Sequence, residues 1–518
     1  MSDNLFSRFC AGFSNPSRTF LERADGSVLS YSDLVDRSGQ LANLFVERGV
    51  RPGDRIAVQV DKCPENLLVY LAALRAGAVY LPLNPAYTPS ELRHFLSDAA
   101  PSLFICRTND RDAMQVLARE MGVPQVETLG ADGSGSLMDA AAAPAAFKDV
   151  ARSKSDLAAI LYTSGTTGLS KGAMLTHGNL ASNAETLRDL WRFTADDRLL
   201  HALPIFHTHG LFVATNVTLM AGSSMIFLPA FDPRELIRLL PRASVLMGVP
   251  TFYSRLLAQP ELTAELVAHM RLFVSGSAPL SAETHREFQA RTGHRILERY
   301  GMTETNMNCS NPYEGERVPG SVGPALPGVE IRITNPETGR PTPGKTGAIE
   351  IRGPNVFAGY WRMPEKTASE FREDGFFISG DLGYVDEHDY LYIVGRAKDL
   401  IISGGFNVYP AEVEAVIDTL PGVSESAVIG VPHPDLGEAV IAVVAPKPGA
   451  LLVQTDIAHA LALQLARYKQ PRCIFVIPEL PRNAMGKIQK KDLRDDYART
   501  FATETAGLGV AGTRSPAP

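Results

Sequence analysis

The sequence lacks the features that mark membrane proteins, secreted disulfide proteins and zinc proteins. It contains no uninterrupted apolar run of membrane-spanning length, and its first twenty residues have no long apolar core of the kind that directs secretion. Its five cysteines are scattered, odd in number and never spaced as C-x-x-C, so neither a disulfide framework nor a zinc site is indicated. These absences favour a cytoplasmic protein with reduced thiols.

An excess of positive charge is missing as well. The formal net charge is −7, which gives no electrostatic footprint for nucleic acid or for an anionic membrane, so we expect neither as a partner. Hydrophobic residues at 45% and charged residues at 21% are ordinary for a soluble globular protein. A chain of 518 residues exceeds what one hydrophobic core usually serves, and two or three domains are expected.

Short apolar strands alternate with helical segments in the first part of the chain. Arg55–Val60 and Ala78–Leu83 read as strands, Glu65–Ala76 as a helix, and Ser90–Ala99 as a helix that Ser90 caps. The same alternation returns between residues 223 and 275. This pattern is typical of parallel sheets covered by helices, and we therefore predict an α/β fold.

The composition and residue pattern of the sequence change twice in the later part of the chain. Residues 329–394 are β-rich and punctuated by glycine, which predicts a β subdomain, and a compact α+β pattern follows Arg396. We predict an N-terminal domain over 1–397, a C-terminal domain over 398–502, and a disordered tail over 503–518 that has too few apolar residues to pack. The glycine- and alanine-rich stretch Gly130–Pro144 is interpreted as a surface connection.

One loop, Tyr162–Gly172 (YTSGTTGLSKG), combines little side-chain bulk with several hydroxyls. It is not a Walker loop, because Lys171 follows Ser170 and precedes glycine. Glycine lets backbone N–H groups turn towards an anion, while the hydroxyls and Lys171 add donors, so the loop suits polyphosphate. Composition alone fits a flexible turn equally well.

Six motifs in chain order carry a resemblance to one known family. They are the loop at 162–172, SGSAPLS at 275–281, ERYGMTET at 298–305, GFFISGDLGY at 375–384, GRAKDLIISGGFNVYPAEVE at 395–414 and PRNAMGKIQK at 481–490. The series resembles the acyl-adenylate-forming superfamily of acyl-CoA synthetases, luciferases and peptide-synthetase adenylation domains, with Ser170 where proline is usual. This resemblance implies a large AMP-binding domain and a small mobile C-terminal domain. It also implies ATP and coenzyme A as cosubstrates, Mg²⁺, and an acyl-AMP intermediate.

The resemblance further implies roles for individual residues. The expected ATP and AMP contacts are Thr163, Ser164, Gly165, Thr166, Thr167, Gly168, Lys171, Ser277, Ala278, Glu298, Tyr300, Gly301, Met302, Thr303, Asp381 and Arg396. The expected coenzyme A contacts are Ser403, Gly404, Gly405 and Phe406. Glu304 is expected to ligate Mg²⁺, Lys398 to be the hinge, and Lys487 to be the catalytic lysine. Taken singly, such residues also have plainer interpretations as core aromatics, turn residues or surface charges.

The substrate prediction depends on Arg299, which directly precedes the YGMTE motif. A cation at this place suggests a second substrate carboxylate, and ERYGMTET with Asn311–Pro312 resembles malonyl-CoA synthetases in particular. Malonate is therefore the predicted acid, with His207 and Arg255 expected to line the acyl pocket. A surface ion pair of Arg299 with Glu298 is the plainer interpretation.

Three alternatives stay open at the level of sequence. The enzyme could activate another short or medium carboxylic acid, or it could be a luciferase-like or carrier-loading adenylating enzyme. Arg255 could be an ordinary helix-surface arginine, and His207 with His209 could belong to a metal site, although no third ligand stands at a recognisable spacing. Lys487 in P-x-x-x-x-G-K resembles the site at which bacterial acyl-CoA synthetases are switched off, so a protein lysine acetyltransferase is an expected partner.

Overall fold

The computed structural model describes residues 2–141, 145–163, 170–404, 406–483 and 486–501. The chain divides into two compact units. The first unit comprises residues 1–332, 350–379 and 386–391, and the second comprises residues 333–349, 380–385 and 392–518.

An eight-stranded sheet forms one half of the first unit. Its strands, in spatial order, are Asn306–Ser310, Leu297–Met302, Leu272–Ser275, Val245–Gly248, Arg198–His201, Ser224–Phe227, Thr19–Arg23 and Val28–Ser30. The six inner strands run parallel, and the strand at each edge pairs antiparallel. The carboxyl ends of the parallel strands share one edge of the sheet, which is where ligands bind in open α/β sheets.

A six-stranded sheet forms the other half. Its strands, in spatial order, are Gln125–Thr128, Leu103–Cys106, Arg55–Gln59, Val79–Pro82, Leu157–Thr163 and Lys171–Thr176. The last pair is antiparallel, with Thr163 opposite Lys171, and the other pairs are parallel. The predicted phosphate loop therefore connects two strands at the edge of this sheet.

Helices cover both sheets of the first unit. They are Leu5–Cys10, Tyr31–Glu47, Pro64–Arg75, Pro89–Ala99, Arg111–Glu120, Ser136–Ala140, His177–Leu190, Asn216–Ala221, Pro233–Leu239, Pro250–Leu257, Ala264–Val267, Ala282–Thr292 and Pro364–Glu370. Three shorter turns are the 3₁₀ segments Thr108–Asp110 and Leu240–Arg242 and the π-helix His209–Thr215. Helix Pro64–Arg75 is buried along its whole length because it is apolar on nearly every side. Its two charges are paired: Glu65 with Arg23 and Arg37, and Arg75 with Asp149.

A four-stranded sheet corresponds to the β-rich stretch that the sequence predicts. Its strands, in order, are Glu330–Thr334, Gly347–Arg352, Phe377–Val385 and Leu391–Arg396. The chain after this sheet, which belongs to the second unit, is α+β. Its strands are Ile401–Ser403, Phe406–Val408, Val423–His433, Gly437–Pro446 and Cys473–Val476, its helices are Pro410–Ile417, Gln454–Gln464 and Lys490–Tyr497, and its 3₁₀ turns are Ala397–Asp399 and Arg467–Lys469.

The predicted α/β architecture is confirmed, with two local corrections. Ser90 does not cap its helix: Thr88 is the N-cap, Pro89 begins the helix, and Thr88 and Glu91 form a capping box. Residues 130–144 are not only a surface connection, because they include helix Ser136–Ala140 with Leu137 buried. The predicted boundary at 397/398 stays a prediction, and the tail 503–518 lies outside the described residues. No helix in the described ranges is long and apolar enough to cross a membrane.

Candidate functional site

The two ends of the predicted phosphate loop are held side by side. Thr163 ends one strand and Lys171 begins the next, and the two are antiparallel partners. The predicted site residues Ser164, Gly165, Thr166, Thr167 and Gly168 lie outside the described residues.

The ammonium of Lys171 is fixed by a segment almost two hundred residues later in the chain. Its Nζ lies 3.2 Å from Oε1 of Glu370 and 4.1 Å from the centre of the Tyr360 ring. The segment follows the edge of the six-stranded sheet, since the Trp361 amide donates to the Gly172 carbonyl at 2.7 Å. This contact brings Tyr360 to the side of Lys171.

Tyr360 also joins the predicted metal ligand to the phosphate loop. Its hydroxyl lies 3.2 Å from Oε1 of Glu304 and 2.7 Å from Oε2 of Glu370, and the Thr163 hydroxyl lies 3.4 Å from the same Glu304 oxygen. Burial and the two carboxylates raise the pKa of Tyr360 far above its usual value, so it remains a neutral donor. The pKa of Glu370 is lowered although burial opposes this, because Lys366, Tyr360 and Lys171 stabilise the carboxylate.

Helix Pro89–Ala99 contacts the chain on both sides of the loop. Nε2 of His94 lies 2.9 Å from the Ser170 carbonyl, and the Tyr162 hydroxyl donates to Oδ2 of Asp98 at 2.5 Å. We call these four residues the loop clamp. The indole N–H of Trp361 donates to the Asp98 carbonyl at 3.1 Å and holds the helix against the sheet edge.

The predicted adenine contacts follow two neighbouring strands of the eight-stranded sheet. Ser277 and Ala278 follow strand Leu272–Ser275, and Glu298 lies opposite Ser275 in the next strand. The Leu280 amide donates to the Glu298 carboxylate at 3.1 Å, and burial raises the pKa of Glu298 to about 8. Ser277 has a φ of +73°, a conformation that costs energy for a residue other than glycine and is common at functional sites.

The next residues of the motif are also enclosed. Tyr300, Thr303 and Glu304 are buried, and Met302 is half-buried. Gly301 has no room for a side chain, since a Cβ would lie 2.0 Å from the Asn306 carbonyl oxygen. The motif therefore needs glycine at this position to pair tightly with strand Asn306–Ser310.

Arg299 is a buried charge in strand Leu297–Met302. It is 3% exposed, and no described residue accepts a hydrogen bond from its Nε or Nη2. Burial lowers its pKa to about 9. No ion pair within the described ranges joins it to Glu298, so the surface ion pair considered as an alternative is wrong. A Cβ on Gly276 would lie 2.4 Å from the guanidinium carbon, and glycine is therefore what makes room for this group.

Two histidines lie at the same edge of the sheet, at the start of the π-helix. Nδ1 of His209 lies 3.2 Å from the Ser277 hydroxyl, and no described residue bonds its buried Nε2. Burial and the charge of Arg299, which lies near it, lower the pKa of His209 well below its usual value, so it is neutral. His207 is half-buried two residues earlier. Arg255, by contrast, is exposed on helix Pro250–Leu257, as an ordinary surface arginine would be.

The second unit brings together four other predicted residues. Nε of Arg396 lies 3.0 Å from Oδ1 of the buried Asp381. Lys487 is exposed as a residue, but desolvation of its ammonium and then the charge of Arg396 lower its pKa to about 8. Lys398 also contributes to that shift, and its own pKa is lowered by desolvation.

Ser403 and Phe406, two of the predicted coenzyme A contacts, lie on paired strands in the second unit. Ser403 pairs with Phe406, and Gly404 has a φ of +59°, which suits the turn. Gly405 lies outside the described residues. The Phe406 ring is 57% exposed and stacks on Tyr468 with ring centres 4.8 Å apart.

The comparisons with known proteins agree along nearly the whole chain. The family model of AMP-binding enzymes matches residues 11–361, and the model of the C-terminal domain of AMP-binding enzymes matches residues 412–487. The chain is 59% identical to MatB of Rhodopseudomonas palustris, whose ATP-bound crystal structure aligns with a TM-score of 0.95 over 97% of this chain and 100% of that one.

Two curated relatives are less similar and differ in their acids. The chain is 36% identical over 508 residues to the mitochondrial malonate–CoA ligase of Mus musculus, covering 90% of this chain and 86% of the relative. It is 36% identical over 479 residues to a feruloyl-CoA synthase of an Amycolatopsis species, covering 91% and 94%. Identity alone therefore does not distinguish a short diacid from an aromatic acid.

Proposed function

Because the chain belongs to the AMP-binding enzyme family and is one of its acyl-CoA ligases, we propose that the acid it activates is malonate. The reaction is malonate, ATP and coenzyme A to malonyl-CoA, AMP and diphosphate. The observation that carries this choice is the buried guanidinium of Arg299, whose Nε and Nη2 have no partner among the described residues.

The energetics of this guanidinium favour a dicarboxylate. An unpaired buried charge is costly, and the second carboxylate of malonate supplies the missing counter-charge while its first carboxylate reacts. Removing one partner of a buried ion pair typically costs about 3–5 kcal/mol, so acetate is expected to react a few hundred-fold less efficiently or worse. An aromatic acid such as ferulate leaves the same charge unpaired.

The residues around the phosphate loop suit the triphosphate of ATP. We assign binding of the β- and γ-phosphates to Thr163, Lys171 and the loop between them, and binding of the α-phosphate to Thr303, which precedes Glu304 in the chain. A positive charge near the reacting phosphate offsets the repulsion between two anions, which is worth about 4 kcal/mol per unit-charge pair at ~4 Å and an effective dielectric of 20.

The magnesium ion fits this site only as a companion of ATP. No group of three metal-ligating side chains occurs within the described residues, and Glu304 offers one buried carboxylate beside Thr163. One carboxylate together with substrate phosphates is a usual coordination for Mg²⁺. Glu304, oriented by the Tyr360 hydroxyl, would hold the ion, which would neutralise charge on the phosphates.

The remaining contacts complete the two half-reactions. Ser277, Ala278, Glu298, Tyr300, Gly301 and Met302 border adenine, and Asp381 and Arg396 bind the ribose. The malonate carboxylate attacks the α-phosphorus, diphosphate leaves, and Lys487 stabilises the charge that develops. The thiolate of coenzyme A, entering past Ser403, Gly404, Gly405 and Phe406, then attacks the acyl carbonyl and expels AMP. Lys398 is the hinge between the two steps.

The test measures diphosphate release with a panel of acids and five forms of the enzyme. Wild type is expected to prefer malonate over acetate, butyrate and ferulate in kcat/KM. Arg299→Met removes that preference while KM for ATP changes little, and Gly276→Ala, which displaces the guanidinium, has the same direction of effect. Arg286→Met, on an exposed position of helix Ala282–Thr292, is the matched control. Arg255→Met decides whether that arginine belongs to the pocket. A wild type that prefers a monocarboxylic acid refutes the malonate assignment and leaves the ligase assignment standing.

We also propose that Lys487 is a site of acetylation. Lys487 is exposed as a residue, and desolvation lowers the pKa of its amine to about 8, which raises the neutral fraction that can accept an acetyl group; acetylation then removes its charge. Mass-spectrometric mapping after treatment with a bacterial protein acetyltransferase is expected to find Lys487 labelled, with diphosphate release lost in proportion. Labelling of other lysines alone contradicts the proposal.

A further inference from the structure

Lys62 is a desolvated lysine to which the proposed reaction assigns no role. It follows strand Arg55–Gln59 of the six-stranded sheet, and desolvation lowers its pKa well below the usual value. No carboxylate of the described residues forms an ion pair with it. Its Nζ instead lies 4.2 Å from the centre of the Phe227 ring. Desolvating an ammonium or amine group without a counter-ion costs free energy, so we expect Lys62 to have a structural or functional role.

The partner of Lys62 is a histidine in the other sheet. Nζ of Lys62 lies 3.2 Å from Nδ1 of His201 and donates to the His201 carbonyl at 2.9 Å. His201 is 1% exposed and ends strand Arg198–His201 of the eight-stranded sheet, beside Phe227 in the next strand. Lys62 therefore ties the end of one sheet to the end of the other.

The neighbours of the ring fix which nitrogen of His201 carries the hydrogen. A carbonyl oxygen can only accept, so the Gly210 carbonyl beside Nε2 requires Nε2 to carry the hydrogen, and Nδ1 of the neutral ring accepts from Lys62. Nε2 then faces two oxygens, the Gly210 carbonyl at 3.0 Å and the Thr215 hydroxyl at 3.2 Å. The tautomer follows from the hydrogen-bond network.

The far end of this chain of contacts is the π-helix His209–Thr215. Gly210 is packed so tightly that a Cβ would lie 1.9 Å from the Pro204 carbonyl oxygen, and the Thr215 hydroxyl donates to the Gly210 carbonyl at 2.9 Å. The residue before Gly210 is His209, which contacts Ser277 and lies near Arg299. π-Helical turns are uncommon and occur often at functional sites.

We propose that Lys62 and His201 are positioning residues for the acid pocket. Lys62 orients the His201 ring, the ring holds the Gly210 carbonyl, and the π-helical turn thereby keeps His209 against Ser277 beside Arg299. Neither residue touches the substrate. This inference rests on the proposed function in one respect, that the acid binds at Arg299.

The test separates binding of the acid from binding of ATP. Lys62→Met keeps the apolar stem and removes the donor to Nδ1, so His201 is no longer held in the orientation that bonds Gly210. KM for malonate is therefore expected to rise about tenfold or more while KM for ATP stays within about twofold. Two conservative variants are expected to retain most of the affinity for malonate. They are Lys62→Arg, which still donates, and His201→Gln, whose amide can donate to Gly210. Lys148→Met, at an exposed lysine, is the control.

A double-mutant cycle locates the effect. In an Arg299→Met background, Lys62→Met is expected to add little to KM for the acid, because the pocket has already lost its main contact. Full additivity, an unchanged KM for malonate, or an equal rise of both KM values overturns the proposal. If Lys62→Met does not fold, Lys62→Gln and His201→Leu are compared with His201→Gln in the same assay. If wild type prefers another acid, the proposed function fails, while the positioning role is still judged by KM for the preferred acid.

Discussion

The two cations on which the proposed reaction depends are held in opposite ways. Arg299 in the first unit is 3% exposed, lies inside a sheet strand and has unpartnered nitrogens among the described residues. Lys487 in the second unit is exposed and follows a glycine of positive φ, near the Asp381–Arg396 pair. A buried arginine selects, because its position is fixed and a substrate lacking a second charge leaves it unpaired. An exposed lysine can act in one step, be withdrawn from the next and be modified.

Removing the charge of Lys487 is expected to have the largest effect on the reaction. Lys487→Ala is expected to lower acyl-AMP formation by about 10² or more, the loss of one transition-state charge contact, while preformed malonyl-AMP is still converted to the thioester. The measurement is diphosphate release for the first half-reaction and a coenzyme A thiol assay for the second. Lys491→Ala, four residues along and exposed, is the control. Equal loss of both half-reactions contradicts a role confined to one step.

The sequence predicted the α/β fold and the positions of the motifs because both depend on local patterns. Strands and helices follow from apolar periodicity, and the six motifs are contiguous. The contacts that hold the motif residues could not be predicted in this way. Tyr360 and Glu370 reach Lys171 from almost two hundred residues away, and Gly276 makes room for Arg299 from a neighbouring strand.

Weaker signals are present in the sequence as well. His207 and His209 form an H-x-H pair, and only the structure shows that His209 contacts Ser277. Lys62 belongs to no sequence motif, and nothing in the local sequence distinguishes His201 from other histidines at the end of an apolar strand. Their pairing depends on how two sheets pack, which no local pattern encodes.

The loop clamp extends the comparison to ATP, since it is expected to affect the nucleotide and not the acid. Asp98→Ala and His94→Ala each remove one hydrogen bond beside the loop, which is worth about 1–2 kcal/mol and predicts a rise in KM for ATP of roughly tenfold. KM for malonate is expected to stay close to the wild-type value. Ser97→Ala, between the two on the same helix and exposed, is the matched control. A larger effect on malonate than on ATP shows that the helix does not act through the loop.

The smallest expected effect is the change in activity with pH, which distinguishes the roles of Lys487 and Arg299. Burial lowers the pKa of Arg299 to about 9, whereas desolvation and then Arg396 lower the pKa of Lys487 from 10.5 to about 8, so Lys487 is the first of the two to lose its charge as pH rises. We therefore expect kcat/KM for acyl-AMP formation to fall by a factor of a few above pH 8, with the slope of one proton. Bound ATP adds negative charge beside the lysine, so the fall in kcat lies at higher pH. Lys487→Arg is expected to remove this limb if it is active.

The contribution of Lys487 to stability moves in the opposite direction to its contribution to activity. The folded pKa of Lys487 lies below its unfolded value, so the unfolded chain binds more protons between about pH 8 and 10.5, and this group raises the free energy of unfolding as pH rises through that window. Thermal melts of wild type and Lys487→Met over the same pH range supply the check. An activity loss above pH 8 that persists unchanged in Lys487→Arg assigns the limb to another group.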